Sequence, residues 1–361
     1  MKKLIYLAVA APLLLAVSCT NTAQTTANVP QQSPADTMAQ LDEPAGNPID
    51  FDKTAVLRST YVVDRNGATM RQQASEDAKS LGVFTYGSKL DVIEETESWL
   101  GIRERITREF TRDGSQIESN GWEKVYVLKS QTGAVGAIAL VPADLAVVSL
   151  LTVGEETEQH EDGKRLGKYL ELELIDKGLF DSKKGSSVNF LLQDTLAHQK
   201  KNGVLELPAQ SKTVRYADRA NAEEDEQYFQ YLGQVEFLNQ FLINGQYWES
   251  LNYRFIDKTS GEETQVFGEY PHISADKKHI ICIYANPYDM TADLELYSIS
   301  GNKINRLMAA SFKNWMPNGE QTDMFWAADG YLYTAVNHVN AFWKADGSLN
   351  DAFQYVRIKL L

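Results

Sequence analysis

The chain contains two cysteines, and the one in its second half raises the question of nucleophilic catalysis. Cys282 lies in the run HIICIYA, three residues after His279. A catalytic thiolate needs a histidine within hydrogen-bonding distance, and it commonly opens a helix whose dipole lowers the thiol pKa. Cys282 lies instead in a strand-like run, where residues three apart point to opposite faces. The pattern therefore predicts a buried packing residue and not a catalytic cysteine.

No other segment carries a recognisable catalytic motif. There is no G-x-S-x-G elbow, H-E-x-x-H pair or P-loop. The acidic stretch at residues 218–226 lacks the glycine turn of a calcium loop, so a solvated charged stretch is the preferred interpretation. The histidines show no zinc-ligand spacing; they are His160, His198, His272, His279 and His338. We predict no enzymatic activity, metal or cofactor, with a carboxylate-based hydrolase as the alternative.

Cys19 ends an apolar run, and this position indicates a different chemistry. Two lysines precede the run at residues 4–17, which is too short for an ordinary membrane span. The small residues 16–18 before the cysteine resemble the lipobox of bacterial lipoproteins, although Leu15 lies four places before Cys19 where three is usual. The resemblance implies a signal peptide over residues 1–18 and a diacylglycerol and palmitate-type acyl group on Cys19. An ordinary signal cut after residue 18 is the alternative.

The segment after Cys19 and the overall charge limit the partners of the protein. Residues 20–50 are rich in Thr, Asn, Gln, Ala and Pro, and such a stretch cannot bury enough apolar surface to fold. We therefore predict a disordered tether over residues 19–53. The formal net charge of −14 argues against nucleic acid and against electrostatic contact with anionic lipid. Contact with a membrane would then come through the N-terminal lipid.

From Tyr61 the chain changes to short strands separated by turns. Gly82 and Gly87 bracket one short strand, and a second follows in KLDVI. Asp113-Gly114 lies between two longer stretches, and this dipeptide is a strong two-residue hairpin signal. Frequent turns between short strands predict a small barrel or sandwich.

The order of these segments resembles the bacterial SH3 domains of cell-envelope proteins. The resemblance rests on ATMRQQAS, LGVFTYGSKLDVIEE, SWLGIRE and a late strand ending in GAIALVPADL. The last segment departs from the family pattern, because Ala137-Ile138 stands where a tryptophan is usual. The resemblance covers residues 54–147 and implies an SH3-like small barrel that binds cell-wall peptides or proteins and does not catalyse.

Within such a domain, ligands lie in a groove beside aromatic side chains. The resemblance therefore implies four candidate ligand-binding residues: Tyr86, Trp99, Trp122 and Tyr126. Aromatic residues on short barrel strands also commonly fill or flank the core. A packing role is the alternative for each of the four.

Residues 148–361 form a second, larger unit, with the boundary near the acidic break at 154–165. Its strand candidates alternate apolar and polar residues or are wholly apolar; they are KYLELELID, SVNFLLQD, QVEFLNQFLI, YWESLNYRFID, HIICIYA, DLELYSI, GYLYTAV and FQYVRIKLL. The stretch RANAEEDEQYFQYLGQ is interpreted as a short helix or a loop. The predicted fold class is all-β throughout.

One stretch of this unit resembles a blade segment of TolB-like β-propellers. PHISADKKHIICIY follows the pattern P-x-hydrophobic-S-x-D-G-K-x-hydrophobic, with Lys277 where glycine is usual. A second stretch has the same order of strands and turns, with Gly301 at its first turn and Asp329-Gly330 at a later one. The resemblance implies a propeller-like β-rich domain, and an irregular antiparallel sheet or sandwich is the alternative.

Together these patterns predict a bacterial lipoprotein of the cell envelope, anchored at the outer membrane or on the periplasmic face. Its expected function is that of a binding or interaction module for a cell-wall component or an envelope protein. The alternative is a cell-wall or glycan hydrolase whose carboxylates lie in residues 148–361.

Overall fold

The computed structural model describes residues 46–112, 115–153, 156–158, 166–220, 225–318, 323–344 and 346–361. Cys19, the predicted signal peptide and the predicted tether as far as residue 45 lie outside these residues. Residues Gly46–Leu361 form one compact unit. The described part of the chain is built mostly of antiparallel sheets, which confirms the all-β fold class.

Seven antiparallel strands build the N-terminal sheet. They are β1 (Arg58–Val62), β2 (Ala68–Arg71), β3 (Ser80–Phe84), β4 (Lys89–Glu95), β5 (Trp99–Arg112), β6 (Ser115–Leu128) and β7 (Thr132–Gly133). Their order is β3-β2-β6-β5-β4-β1-β7, and among the described residues no pairing of the edge strands β3 and β7 closes the sheet into a barrel. β5 and β6 form a hairpin with Arg112 opposite Ser115, as the Asp113-Gly114 signal predicts, although those two turn residues lie outside the described part.

The inner face of this sheet carries its own core. The spacing of two residues on each strand sends alternate side chains inward; the buried set is Val62, Ala68, Phe84, Leu90, Val92, Leu100, Ile102, Ile106, Val125 and Val127. Glu123 also lies on this face, where Arg108 holds its carboxylate through two contacts of 2.6 Å. The bidentate geometry satisfies a carboxylate that would otherwise be costly to bury.

The sequence predicted a late strand over GAIALVPADL, and that prediction is wrong. Residues Val135–Ala137 form a 3₁₀ turn, and α1 (Pro142–Leu145) is a short helix. Pro142 suits a first helical turn because its missing N–H would be unpaired there in any case. The indole N–H of Trp315 donates to the Leu145 carbonyl oxygen at 3.1 Å, which ties this connection to the C-terminal sheets.

The remaining strands form four further sheets. They are β8 (Val148–Val153), β9 (Glu156–Glu158), β10 (Leu170–Ile175), β11 (Ser187–Val188), β12 (Val204–Pro208), β13 (Thr213–Ala217), β14 (Gln227–Val235), β15 (Gln240–Tyr247), β16 (Leu251–Asp257), β17 (Glu263–Phe267), β18 (His272–Ile273), β19 (His279–Asn286), β20 (Thr291–Ser300), β21 (Lys303–Phe312), β22 (Trp315–Pro317), β23 (Met324–Ala327), β24 (Tyr331–His338) and β25 (Gln354–Leu360). A single helix of two turns, α2 (Lys177–Lys184), lies between β10 and β11.

These sheets pair strands that are distant in sequence. The orders are β12-β13, β14-β15-β16-β17, β18-β19-β20-β21-β8-β9 and β10-β25-β24-β23-β11, with β22 also paired to β24. Early strands thus complete sheets built from later ones: β8 adds to β21, and β10 adds to the C-terminal strand β25.

The sheets are stacked in layers with a separate apolar cluster between each pair. Leu205 and Ile243 belong to the cluster between β12-β13 and the β14–β17 sheet. Phe255 and Cys282 belong to the next cluster, between the β14–β17 and β18–β21 sheets. The largest cluster fills the space between the β18–β21 sheet and the β24-β25 sheet, whose outer face is covered by Phe180 of α2.

The central strand β19 has apolar residues on both faces because it lies between two of these clusters. Ile281 and Ile283 point into the largest cluster, while Ile280 and Cys282 point into the cluster on the other side. This confirms the strand and the buried packing position predicted for Cys282 in HIICIYA.

Two local predictions fail in the C-terminal part. The stretch interpreted as a helix or loop, RANAEEDEQYFQYLGQ, contains most of strand β14. Alternate side chains of this strand, Phe229 and Tyr231, are buried against β12 and β13. Helix α2 was not predicted, although Asp176 is a good N-cap and accepts the Leu179 N–H at 2.7 Å. The helix is short and mostly polar, so its sequence shows no clear apolar periodicity.

Candidate functional site

Three of the four predicted ligand-binding residues share the outer face of the β5–β6 hairpin. Trp99 is opposite Leu128, Gly101 is opposite Tyr126, and Arg105 is opposite Trp122. Directly opposed residues of an antiparallel pair lie on the same face, and this face is the one turned away from the core. We call the surface formed by Trp99, Trp122 and Tyr126 the aromatic face.

Charged side chains surround the aromatic face and pair with one another. Lys124 contacts Glu94 at 2.5 Å and lies 5.4 Å from the ring centroid of Tyr126. The hydrogen bond to Glu94, followed by that to Tyr126, raises the pKa of Lys124. Arg103 pairs with Asp91 at 2.9 Å. The face therefore combines flat aromatic surface with paired polar groups, a composition suited to binding.

The last residues of the predicted tether are described, and they lie along β6. The Ile49 N–H donates to the Trp122 carbonyl oxygen at 2.9 Å, and the Asn47 N–H donates to the Glu123 carboxylate at 3.1 Å. The ring of Phe51 lies 4.5 Å from that of Trp122 and 4.1 Å from the Arg103 guanidinium. The segment 46–51 thus partly covers the aromatic face, leaving Trp122 with 37% exposure.

Tyr86, the fourth predicted residue, lies apart from the other three. Its hydroxyl accepts the Ala139 N–H at 2.8 Å, and its backbone carbonyl oxygen accepts from Asn340 at 2.9 Å. The ring packs edge-on against His338 at 5.2 Å, and Arg65 lies over it at 4.3 Å. Tyr86 therefore joins the N-terminal sheet to the C-terminal sheets.

Cys282 is placed where a nucleophile could not act. Its side chain is fully buried, and burial raises the pKa of its thiol well above the ordinary value. His279, at the start of β19, faces the opposite side of that strand. A thiolate would be both inaccessible and costly here.

The described residues hold no group of three or more His, Cys, Asp or Glu side chains that could bind a metal ion. Burial lowers the pKa of His272 to about 3 and that of His338 to about 4, so both rings are neutral at pH 7. His160 and residues 221–224 of the acidic stretch lie outside the described residues.

The sequence did not indicate the polar cavity that lies between the C-terminal sheets. This cavity of about 420 Å³ is lined by three tyrosines, Tyr253, Tyr270 and Tyr284, and by two carboxylates, Glu269 and Asp323; we call it the tyrosine cavity. A neighbouring cavity of about 300 Å³ shares Tyr270, His272 and Met324 with it.

Only tertiary contacts assemble the tyrosine cavity. Tyr253 comes from β16, Tyr284 from β19, and Glu269 and Tyr270 from the link between β17 and β18. The one local signal is the segment GEYPHIS, where a carboxylate, a tyrosine and a histidine flank a proline. The indole N–H of Trp326 on β23 fixes this link by donating to the His272 carbonyl oxygen at 3.1 Å.

Comparison of the chain with protein-family profiles, curated proteins and solved structures gives no significant match. In the described ranges, no helix has both the length and the apolar character required to cross a membrane.

Proposed function

We propose that the protein is a bacterial cell-envelope lipoprotein that acts as a binding module for a cell-wall component or an envelope protein. The observation that carries this proposal is the shared outer face of Trp99, Trp122 and Tyr126. Aromatic side chains on rigid strands offer large contact area at a low entropic cost, and they recur in peptide and glycan recognition. We assign ligand contact to this face and a joining role to Tyr86.

The SH3-like assignment of residues 54–147 supports the same function. A strand of the sheet overlaps the segment predicted between Gly82 and Gly87, although it runs from Ser80 to Phe84, and another strand begins at Trp99. The long β5–β6 hairpin carries the aromatic face. In SH3-like domains such faces bind peptides and do not catalyse, which agrees with a non-enzymatic role.

A propeller-like body for residues 148–361 is supported by the packing and strand order of the sheets and by the turn at Lys277. The sheets stack face to face as blades do, and strands from early in the chain complete later sheets. Lys277, which stands where the blade pattern has glycine, has a φ of 62°, a conformation that glycine adopts most easily. Its neighbours Ser274 and Asp276 hydrogen-bond at 2.7 Å within the same turn.

The test is co-sedimentation of the full chain with purified peptidoglycan sacculi and with sacculi that retain bound envelope proteins. We expect Trp99→Ala and Tyr126→Ala to lower the bound fraction about tenfold, the loss typical of an interface hot spot. Trp248→Ala is the matched control, because Trp248 is 60% exposed and lies on the β15–β16 turn. Equal binding by all the variants, or no binding by the wild type to either preparation, contradicts the proposal.

One observation favours the hydrolase alternative: Glu269 and Asp323 line the same cavity. Glycoside hydrolysis needs a protonated acid and an ionised carboxylate. Burial raises the pKa of Glu269, and Lys184 contacts the Asp323 carboxylate at 3.2 Å. The alternative predicts release of soluble fragments from sacculi, lost in both Glu269→Gln and Asp323→Asn but retained in Glu171→Gln, a change at an exposed strand position.

A further inference from the structure

The tyrosine cavity contains a partly buried carboxylate, Glu269, whose environment differs from that of the buried acid Glu123. Glu123 is held by the Arg108 guanidinium at 2.6 Å. Glu269 instead accepts the Tyr270 N–H at 2.8 Å and interacts with the Tyr253 hydroxyl. Within the described ranges no lysine or arginine forms an ion pair with Glu269. A partly buried carboxylate that lacks such an ion pair is stabilised by a proton or by an external cation.

Aromatic rings form the walls around this carboxylate. The rings of Tyr253 and Tyr270 lie 5.6 Å apart and nearly perpendicular, and the rings of Tyr270 and His272 lie 4.8 Å apart. Tyr284 closes another side from β19. Ring faces attract cations, and tyrosine hydroxyls accept hydrogen bonds from them.

The rings that surround Glu269 carry no positive charge at pH 7, and Lys184, which lines the neighbouring cavity, contacts the Asp323 carboxylate at 3.2 Å. Burial raises the pKa of Tyr270 and of Tyr284 to about 12, so their hydroxyls stay neutral at pH 7. Burial lowers the pKa of His272 to about 3, so this ring does not become a competing cation. The net charge of −14 adds a long-range attraction for cations.

We infer that the tyrosine cavity binds a primary ammonium group, with Glu269 as its counter-ion and Tyr253, Tyr270 and Tyr284 as its walls. An ammonium has three donors to distribute between a carboxylate and tyrosine hydroxyls, which a quaternary amine does not. A neutral sugar would leave the Glu269 carboxylate without a cation, and an anion would be repelled by it.

The neighbouring cavity indicates what carries the ammonium. It is lined by apolar rings and chains that include Phe190, Phe255 and Trp326, and it shares Tyr270 and His272 with the tyrosine cavity. An aliphatic stem can lie there while its terminal amine reaches Glu269. The ligand class is therefore an alkylamine of the kind found at the end of a lysine side chain, whether on a peptide or as a free small molecule.

This site is separate from the aromatic face, so it can be tested independently of the proposed function. The probes are Nα-acetyl-lysine methylamide and the same compound acetylated at Nε, which differ only in the ammonium. Binding to the full chain is measured by calorimetry and by ligand-observed NMR. We expect the free amine to bind and Nε-acetylation to weaken binding by about tenfold or more, the loss expected when a buried charge loses its partner.

Glu269→Gln should weaken binding of the free amine by about tenfold or more. Glu171→Gln removes the same charge far from the cavity, so the affinity of this variant should stay within about twofold of the wild-type value. Denaturant unfolding checks the fold: Glu269→Gln should be at least as stable as the wild type, because it removes a desolvated carboxyl but keeps the acceptor for Tyr270. Equal affinity for the two probes, unchanged binding by Glu269→Gln, or no binding of the amine at millimolar concentrations overturns the inference. The wild-type comparison of the two probes decides the question even where a variant fails to fold.

Discussion

The side-chain amide of Asn340 donates a 2.9 Å hydrogen bond to the backbone carbonyl oxygen of Tyr86, joining residues 254 positions apart. The contact is close enough that a Cβ added at Gly87, where φ is +80°, would lie 2.6 Å from the Asn340 side chain. This pair is one of the contacts between the N-terminal sheet and the C-terminal sheets, and Tyr86 takes part in it at a distance from the aromatic face.

Tyr86→Phe should therefore lower stability and leave ligand binding unchanged. The substitution removes two hydrogen bonds with Ala139, at 2.8 and 3.1 Å, while keeping the ring against His338. We expect a loss of about 1–2 kcal/mol in the free energy of unfolding, measured by urea titration. If Tyr86→Phe kept its stability but lost binding to sacculi, Tyr86 would be a ligand-binding residue.

Phe51→Ala should uncover Trp122. The Phe51 ring lies 4.5 Å from the Trp122 ring, and its loss exposes the indole to water. The expected result is a red shift and stronger acrylamide quenching of the Trp122 emission, obtained as the difference between proteins with and without Trp122→Phe. The same variant should bind sacculi at least as well as the wild type. Reduced binding would show that Phe51 belongs to the ligand site.

Cys282 should behave as a packing residue. Cys282→Ser places a hydroxyl in an apolar cluster and should cost about 1–3 kcal/mol if the hydroxyl finds no partner. Cys282→Ala should cost less and leave binding intact. A thiol reagent should label the native protein slowly and the unfolded protein fast, because the side chain is fully buried and its pKa is raised. Rapid labelling of the native protein, together with loss of activity in Cys282→Ala, would instead indicate that Cys282 is a catalytic cysteine.

His272 and His338 should make stability fall in mild acid, because desolvation lowers the pKa of both rings. Their pKa values are about 3 for His272 and about 4 for His338 in the folded protein, against about 6.5 in an unfolded chain. The unfolded state therefore binds more protons, so the stability present above pH 6.5 is lost as the pH falls towards the folded values. Each histidine contributes a slope of up to about 1.4 kcal/mol per pH unit.

His272→Gln and His338→Gln should each remove one such contribution. Urea unfolding at pH 7 and at pH 5 measures it: the difference in unfolding free energy between the two pH values should shrink in each variant. A difference equal to that of the wild type in both variants would show that these rings titrate in the folded protein as they do in the unfolded chain.

Cys19→Ala should prevent lipid attachment. The expected outcome is unprocessed precursor or loss of the protein from the membrane fraction, measured by fractionation and by mass spectrometry of the N-terminal peptide. Ser18→Ala is the matched control, because it alters the neighbouring position without removing the thiol. Normal processing and membrane retention of the Cys19→Ala protein would contradict the lipobox interpretation.

Local sequence determined the features that depend on neighbours along the chain. The run HIICIYA predicted a strand with Cys282 as a packing residue, and the dipeptide Asp113-Gly114 predicted the hairpin of β5 and β6, because side-chain period and turn chemistry act over a few residues. The same period of two, applied to β5 and β6, would have placed Trp99, Trp122 and Tyr126 together once their register was known.

Tertiary structure alone decided which distant segments meet. No local pattern indicates that β10 completes a sheet with β25, or that Tyr253, Glu269 and Tyr284 surround one cavity, because strand pairing between remote segments depends on the burial of whole faces. Helix α2 and strand β14 were missed for the same reason: Phe180 and Phe229 are held by the layers they cover, and that packing outweighs the weak preferences of their own segments.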